Sequence, residues 1–379
     1  VSALRRKIEE EIREYGPIAF SRYMELCLYD PALGYYSRNA EQFGKAGDFY
    51  TSSDVHAVFG RLLARQFDEM WRALESPATI QLVELGPGRG LFAQDVLGWT
   101  EKQFPNFFHA LRYVLVESSE PLRQRIQNTL EAYLESGKAQ FGALELLREN
   151  PHHDAIIFAN EFFDALPVAV VSAKGSLRID THAGNLVETW DKPSPEEMEF
   201  LDRYSVHPEG EERVEVPLIA QELMDRLAAG VHRGFIVAID YGYTREEQLA
   251  GRHRGTLKAL RQHSVSANPY EAPGEQDITA DVNFSSLAAA AEKQGMQTHK
   301  IMTQSQFLLG IGEANQFADA FAECRLPQER AKVALQLKHL VTPAGMGESF
   351  HVLIASKGVE QERVKALSGL NFGRRPVMR

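Results

Sequence analysis

Three short stretches of this chain carry polar residues that could do chemistry, and each follows a run of buried-strand character. In the first, Thr79-Ile80-Gln81-Leu82-Val83 leads into Glu84-Leu85-Gly86-Pro87-Gly88-Arg89-Gly90. Glycine at every second position lets the backbone turn tightly and approach a ligand. The helix expected from Leu91 to Thr100 aims its first N–H groups at the same place. A dinucleotide fold would carry its third glycine at the position of Leu91, so the spacing disfavours a nicotinamide-linked oxidoreductase. Glu84, two residues ahead of the first glycine, repels a pyrophosphate and suits a ligand bearing an ammonium group. Taken alone, the turn also reads as an ordinary strand–turn–helix corner.

The second stretch, Arg112–Val116, ends in Glu117, and Pro121 opens the next helix. An acid at this strand end accepts ribose hydroxyls in nucleoside-binding sheets; otherwise it caps the helix. The third, Asp154–Ala159, runs into Asn160-Glu161-Phe162-Phe163-Asp164-Ala165-Leu166-Pro167. Asn160, Glu161 and Asp164 thus fall at the carboxyl edge of a sheet, as candidates for substrate positioning or acid–base work. The other reading is a capped loop wedged by Phe162, Phe163 and Pro167. A fourth segment, Gly44–Asp54, is small and polar around two aromatics, and it is either a lid over a ligand or a surface loop.

These residues need a parallel α/β sheet to hold them. The apolar periodicity predicts helices over 1–28 broken by Gly16-Pro17, with a stripe of Ile8, Ile12 and Tyr15, and a further helix over 55–74. Strands follow at the three stretches above, then alternating strand character from Val168 to Trp190 with turns at Lys174-Gly175 and Ala183-Gly184-Asn185. Residues 191–215 read as polar linker and 217–229 as a helix, making 168–230 an insertion. Phe235–Ile239 resumes the sheet, and 244–281 reads as one long loop, a length that is usually functional or disordered. A helix over 284–294, a strand over 296–302, a helical section over 305–340 and a last strand over 350–356 complete the core. The expected organisation is an N-terminal helical region and lid (1–75), a core (76–357) with substrate-side segments 244–281 and 303–345, and a C-terminal tail (358–379), loose and basic from Gly369 to Arg379.

With 379 residues, 44% hydrophobic and 25% charged, this is an ordinary soluble globular composition. The net charge of −11 argues against wrapping nucleic acid and favours a basic partner. Cys27 and Cys324 form no Cys-x-x-Cys or Cys/His cluster, so no metal site or disulfide framework is expected. No apolar run approaches the ~20 residues of a membrane span. The chain begins at Val1, which leaves a removed targeting peptide open.

Together these blocks resemble the MidA-like family of class I S-adenosyl-L-methionine (SAM)-dependent methyltransferases, which includes a mitochondrial complex I assembly factor acting as a protein-arginine methyltransferase. The likeness is carried by Gly47-Asp48-Phe49-Tyr50-Thr51-Ser52, the Glu84–Gly90 loop, Val116-Glu117-Ser118-Ser119, and the distinctive Asn160–Pro167 block. Ile239-Asp240-Tyr241-Gly242, Arg254-Gly255-Thr256-Leu257, His263, Pro273-Gly274, Asp277–Ala280 and Met346-Gly347-Glu348 extend it over nearly the whole chain. Departures stand at Ser53-Asp54, where the family has Pro-Glu, and at Asp281-Val282-Asn283-Phe284, where it tends to have His-Val-Asp-Phe. An aromatic common before His263 is also replaced near Leu260.

The resemblance implies a Rossmann-like, mostly parallel seven-stranded sheet with N-terminal, inserted and C-terminal helical elements. It implies SAM as cofactor, with Glu84 near its amino group, Gly86, Gly88 and Gly90 against its methionine end, and Glu117 on the ribose. Asp48, Thr51 and Ser52 would close over it, and Asn160 would complete the cofactor set. Glu161 and Asp164 would orient the guanidinium of an arginine in a protein substrate, and His263 could relay a proton. The expected setting is the bacterial cytoplasm, or the mitochondrial matrix in a eukaryote. A small-molecule methyltransferase and a SAM-binding assembly chaperone without turnover are the competing readings.

Overall fold

A computed structural model describes residues 2–37, 57–143, 154–261, 264–266 and 268–373. The chain divides into two compact units. The first comprises Val1–Tyr50, Glu161–Asp225 and Tyr241–Ala290, and the second Thr51–Asn160, Arg226–Asp240 and Ala291–Arg379.

The second unit is built on a mixed sheet. Its path runs Gln297–Thr298, Phe350–Lys357, Gly234–Tyr243, Asp154–Asn160, Ile80–Leu85, Leu111–Val116, Ala139–Phe141. The pairings from Gly234 through Phe141 are parallel, and Gln297–Thr298 lies antiparallel to Phe350–Lys357. This seven-strand, mostly parallel order is the expected fold class. Sheets of this kind are covered on both faces, which is why the strands read as near-continuous apolar runs. Leu82, Val83, Ile156, Ile157, Phe158 and Val237 are all buried. Phe92, on the helix Leu91–Gln103, stacks on Phe158 with centroids 4.5 Å apart. Phe67, on the helix Ala57–Ala73, meets Phe158 edge-on at 5.5 Å. The edge strand Ala139–Phe141 is only three residues long and has no hydrophobic signature of its own, so the sequence does not announce it.

The first unit packs two helices, Ala3–Tyr15 and Phe20–Tyr29, against an antiparallel sheet made of Ile18–Ala19, Ala169–Ser172, Gly175–His182, Asn185–Asp191 and Arg213–Val216. The strands and both turns from Val168 to Trp190 fall where the alternation places them.

Five expectations need correction. The first helix buries Leu4, Ile8 and Ile12, whereas Tyr15 is 74% exposed, because the helix ends there against Gly16. The polar stretch 191–215 contains the helix Pro195–Tyr204, started by a capping box between Ser194 and Glu197. The supposed long loop 244–281 carries the helix Arg245–Leu249 and a three-stranded sheet of Lys258–Arg261, Ser264–Ser266 and Asp277–Thr279. The strand expected over 296–302 is two two-residue pieces. The tail is not loose at its start: Ser368 donates to Glu69 at 2.8 Å and the Gly369 N–H to Gln66 at 2.9 Å, both from the backbone. Polar composition hides such segments because only a few apolar side chains, such as Phe200 and Leu201 in the helix Pro195–Tyr204, anchor them beside their hydrogen bonds.

Candidate active site

The parallel register brings three strand ends level. Leu85 pairs with Val116 on one side and Ala159 on the other, so the glycine loop, Glu117 and Asn160 leave the sheet at one edge. Ligands of open α/β sheets bind at this carboxyl edge. Gly86, Gly88 and Gly90 have φ of +62°, +55° and +77°. Those values favour glycine, and Gly90 in the left-handed conformation starts the helix Leu91–Gln103. The loop is held by Gly86 N–H to the Val116 carbonyl at 3.1 Å and Gly90 N–H to the Pro87 carbonyl at 2.8 Å. A Cβ added at Gly88 would meet nothing within 4 Å, so the backbone there faces open space.

Glu84 is 5% exposed, and its carboxylate accepts the Tyr113 hydroxyl at 2.8 Å. Burial pushes its carboxyl up to about 8, against the Tyr113 hydrogen bond, which lowers it. A buried carboxylate whose one donor among the described residues is a neutral hydroxyl fits an ammonium ligand. Burial also raises Glu117, to about 6, opposed by backbone N–H groups of Ser119 and Ser118. Glu117 does not cap the following helix. Ser119 does that, and Glu117 accepts the Ser119 N–H at 2.8 Å. The residues present therefore fit SAM: an acid for its amino group, a glycine cradle, and a second acid at the ribose position.

In the first unit, Glu161 follows directly after Asn160 with φ +50°. A non-glycine residue in the left-handed region is strained, and such residues cluster at functional sites. Its Oε2 accepts the Tyr241 hydroxyl at 3.3 Å. Asp164 is buried, and that burial, reinforced by the negative charge of Asp281, pushes its carboxyl up to about 7. Its backbone carbonyl accepts the Ala280 N–H at 3.0 Å, pinning the Asn160–Pro167 block to the segment around Asp281. Burial works against the charge of Asp281, but hydrogen bonds from His253 (3.1 Å) and Lys258 (3.0 Å) outweigh it and hold that carboxyl low.

The structure thus gathers Glu84, the three glycines, Glu117 and Asn160 at one sheet edge, and Glu161, Asp164, Tyr241 and Asp281 within the other unit. Asp48, Thr51, Ser52 and His263 lie outside the described residues. Tyr241, His253, Lys258 and Asp281 are the residues that motif reading missed. Tyr241 had a signal, since it lies near the carboxyl end of the strand Gly234–Tyr243, which pairs with the strand Asp154–Asn160. His253 had none, being brought to Asp281 across 28 positions. The Arg254–Leu257 block proves structural: Arg254 reaches both Glu212 oxygens at 2.7 Å. Among the described residues no group of His, Cys, Asp and Glu could hold a metal ion, and no helix is long and apolar enough to cross a membrane.

Residues 62–302 match the model of the family described as "Putative S-adenosyl-L-methionine-dependent methyltransferase". A Drosophila melanogaster relative named protein arginine methyltransferase NDUFAF7 homolog, mitochondrial, is 29% identical over 94% of this chain and 85% of its own. The human protein arginine methyltransferase NDUFAF7, mitochondrial, is 28% identical over 93% of this chain and 82% of its own. A Burkholderia thailandensis crystal structure, solved with S-adenosyl-homocysteine bound, superposes with a TM-score of 0.82 at 29% identity, covering 98% of this chain and 95% of that one.

Proposed function

Because the chain belongs to the MidA-like family of SAM-dependent methyltransferases, we propose that it methylates an arginine side chain of a partner protein, a respiratory-complex subunit or its bacterial counterpart. The observation that carries this reading is the carboxylate pair of the Asn160–Pro167 block. Glu161 is held in a strained backbone by design of the loop and oriented by Tyr241, and Asp164 has its carboxyl raised to near neutrality. When bound, SAM supplies a methyl group on a sulfonium, open to in-line displacement.

The residues of this chain then divide the work. Glu84 binds the amino group of the cofactor, Gly86, Gly88 and Gly90 let the backbone approach its methionine end, Glu117 takes the ribose hydroxyls, and Asn160 ends the same edge. Asp48, Thr51 and Ser52, which lie outside the described residues, keep the cofactor-binding role that the family resemblance implies. Glu161 hydrogen-bonds the guanidinium and orients its reacting nitrogen. A protonated guanidinium is a poor nucleophile, so the proton must leave as the new bond forms. Asp164, its carboxyl raised to about 7, is matched to accept it, and His263, outside the described residues, keeps the proton-relay role that the family resemblance implies. In this reading the protein works in the bacterial cytoplasm, or in the mitochondrial matrix if the source is eukaryotic.

The test is transfer of labelled methyl groups from SAM into the proteins of an extract lacking this enzyme, followed by acid hydrolysis. Labelled methylarginine that disappears with Glu161→Gln, while SAM binding persists, supports the reading. Label found only in small molecules, or an assembly function that survives Glu161→Gln with no methylarginine formed, overturns it.

A further inference from the structure

The first unit holds a cavity of about 420 Å³ that none of the roles above uses. Glu188, Arg213, Glu215, Lys258 and Tyr270 stand in its wall, with the exposed Asn268 beside them. Glu215, on the strand Arg213–Val216, ties that strand to the turn before Lys258. Its carboxylate accepts the Thr256 N–H at 3.2 Å, the Thr256 hydroxyl at 3.1 Å and the Leu257 N–H at 3.2 Å.

The charges in this wall do not balance evenly. Arg213 gives both terminal nitrogens to Glu188 at 2.7 Å each, and the Tyr270 hydroxyl adds a third bond to Glu188 at 2.8 Å. Lys258 reaches Asp281 at 3.0 Å. Both wall cations are therefore matched to carboxylates. Glu215 is the exception. It is 2% exposed, every donor it receives among the described residues is neutral, and its burial raises its carboxyl. A buried carboxylate without a counter-charge is costly, and a cation brought beside it relieves that cost. The unmatched charge of the wall is negative.

We propose that this cavity receives a cationic side chain, arginine or lysine, from a basic polypeptide segment, with Glu215 as counter-charge and Glu188 and the Tyr270 ring completing the wall. The inference rests on the reading of a protein substrate and deepens it by naming what else the enzyme recognises besides the target residue. Lys258 connects the cavity to Asp281, and through it to the carboxylates around Asp164. The net charge of −11 favours the approach of a basic segment.

The experiment titrates N-acetyl-arginine amide, N-acetyl-lysine amide and the uncharged N-acetyl-norleucine amide into the full chain carrying Glu161→Gln, which removes binding at the carboxylate assigned to the target. Binding is read by ligand-observed NMR. At least one cationic amide is expected to bind saturably, and which one tells arginine from lysine; the norleucine amide is not. Adding Glu215→Gln should weaken the cation roughly tenfold or more, since a charge-assisted contact becomes a neutral one. Glu188→Gln, on an outer strand, should weaken it by about threefold or more while freeing Arg213. Melting curves check that each variant folds. Equal binding of the norleucine amide, no saturable cation binding, or affinity unchanged in both variants would overturn the proposal. SAM is titrated separately. If it binds and the cations do not, only this inference falls; if the cations bind and SAM does not, the methyltransferase reading falls and the cavity assignment stands.

Discussion

If Glu84 holds the amino group of SAM as proposed, cofactor binding is a proton-coupled event, and the size of the coupling follows from the burial of Glu84. With its carboxyl near 8, about 0.9 of the population is protonated at pH 7, and pairing with an ammonium requires that proton to leave. Calorimetric titration of SAM at pH 7, in buffers of different ionisation enthalpy, should therefore show release of about 0.9 proton, with Glu117, near 6, adding only about 0.1. Affinity should fall close to tenfold per unit as pH drops below 8. It should fall again above about 8, where the cofactor's own α-amino group loses its charge. Glu84→Gln removes the coupling. Breaking a buried pair costs about 3–5 kcal/mol, and about 1.4 kcal/mol of that is already absorbed at pH 7 by deprotonation, which leaves about 2–4 kcal/mol. Binding should weaken roughly 30- to 900-fold, and Tyr113 can still donate to the new amide oxygen, so the fold should hold. Wild-type binding with no proton exchange between buffers, and affinity flat from pH 6 to 8, would refute the assignment of Glu84.

Other consequences are as direct. Tyr113→Phe takes away the hydroxyl that lowers Glu84, so the affinity optimum should move to higher pH and affinity at pH 7 should drop several-fold, read by the same titration. Gly88→Trp places an indole in the open space beside the loop and forces a side chain into φ +55°; SAM binding should vanish, at a stability cost of about 1–2 kcal/mol seen in denaturant melts. Gly369→Leu drives a side chain into Phe307 and Gln66, and overpacking of about 1–3 kcal/mol should lower the melting temperature by about 3–10 °C. Glu84 and Asp164 both have carboxyls raised by burial, so the stability each contributes is full below the unfolded carboxylate range, at about pH 4, and is lost progressively as pH rises to their folded values near 8 and 7. Ligand-free protein should accordingly lose melting temperature from about pH 4 to 8 and level off above, and Glu84→Gln should flatten that slope.

The sheet was legible because its strands are buried on both faces and declare themselves as apolar runs, and because glycine spacing and strand-end acids are local signals. Glu84, Glu117 and Glu161 could be picked out from a few neighbours each. What stayed hidden depends on distant pairing. The three-stranded sheet within 244–281 has mostly polar, short strands whose order, Ser264–Ser266 beside Lys258–Arg261 beside Asp277–Thr279, leaves no periodic trace. The partnership of His253 with Asp281, and the role of Glu215 in holding Thr256 and Leu257, are likewise written only in three dimensions.

The first unit is assembled from three separated segments, and its opening helices lean on its last one: the Tyr23 hydroxyl donates to the Pro269 carbonyl at 2.7 Å, 246 residues later. At a synthesis rate of about 5–20 residues per second, Tyr23 waits roughly 12–50 s for that partner. For that interval Phe20, Tyr23, Met24 and Leu28, all fully buried in the finished protein, emerge from the ribosome without the segments that cover them. The nascent chain is thus a natural client for chaperones that shield apolar helices, and its yield should depend on them more than its final stability does.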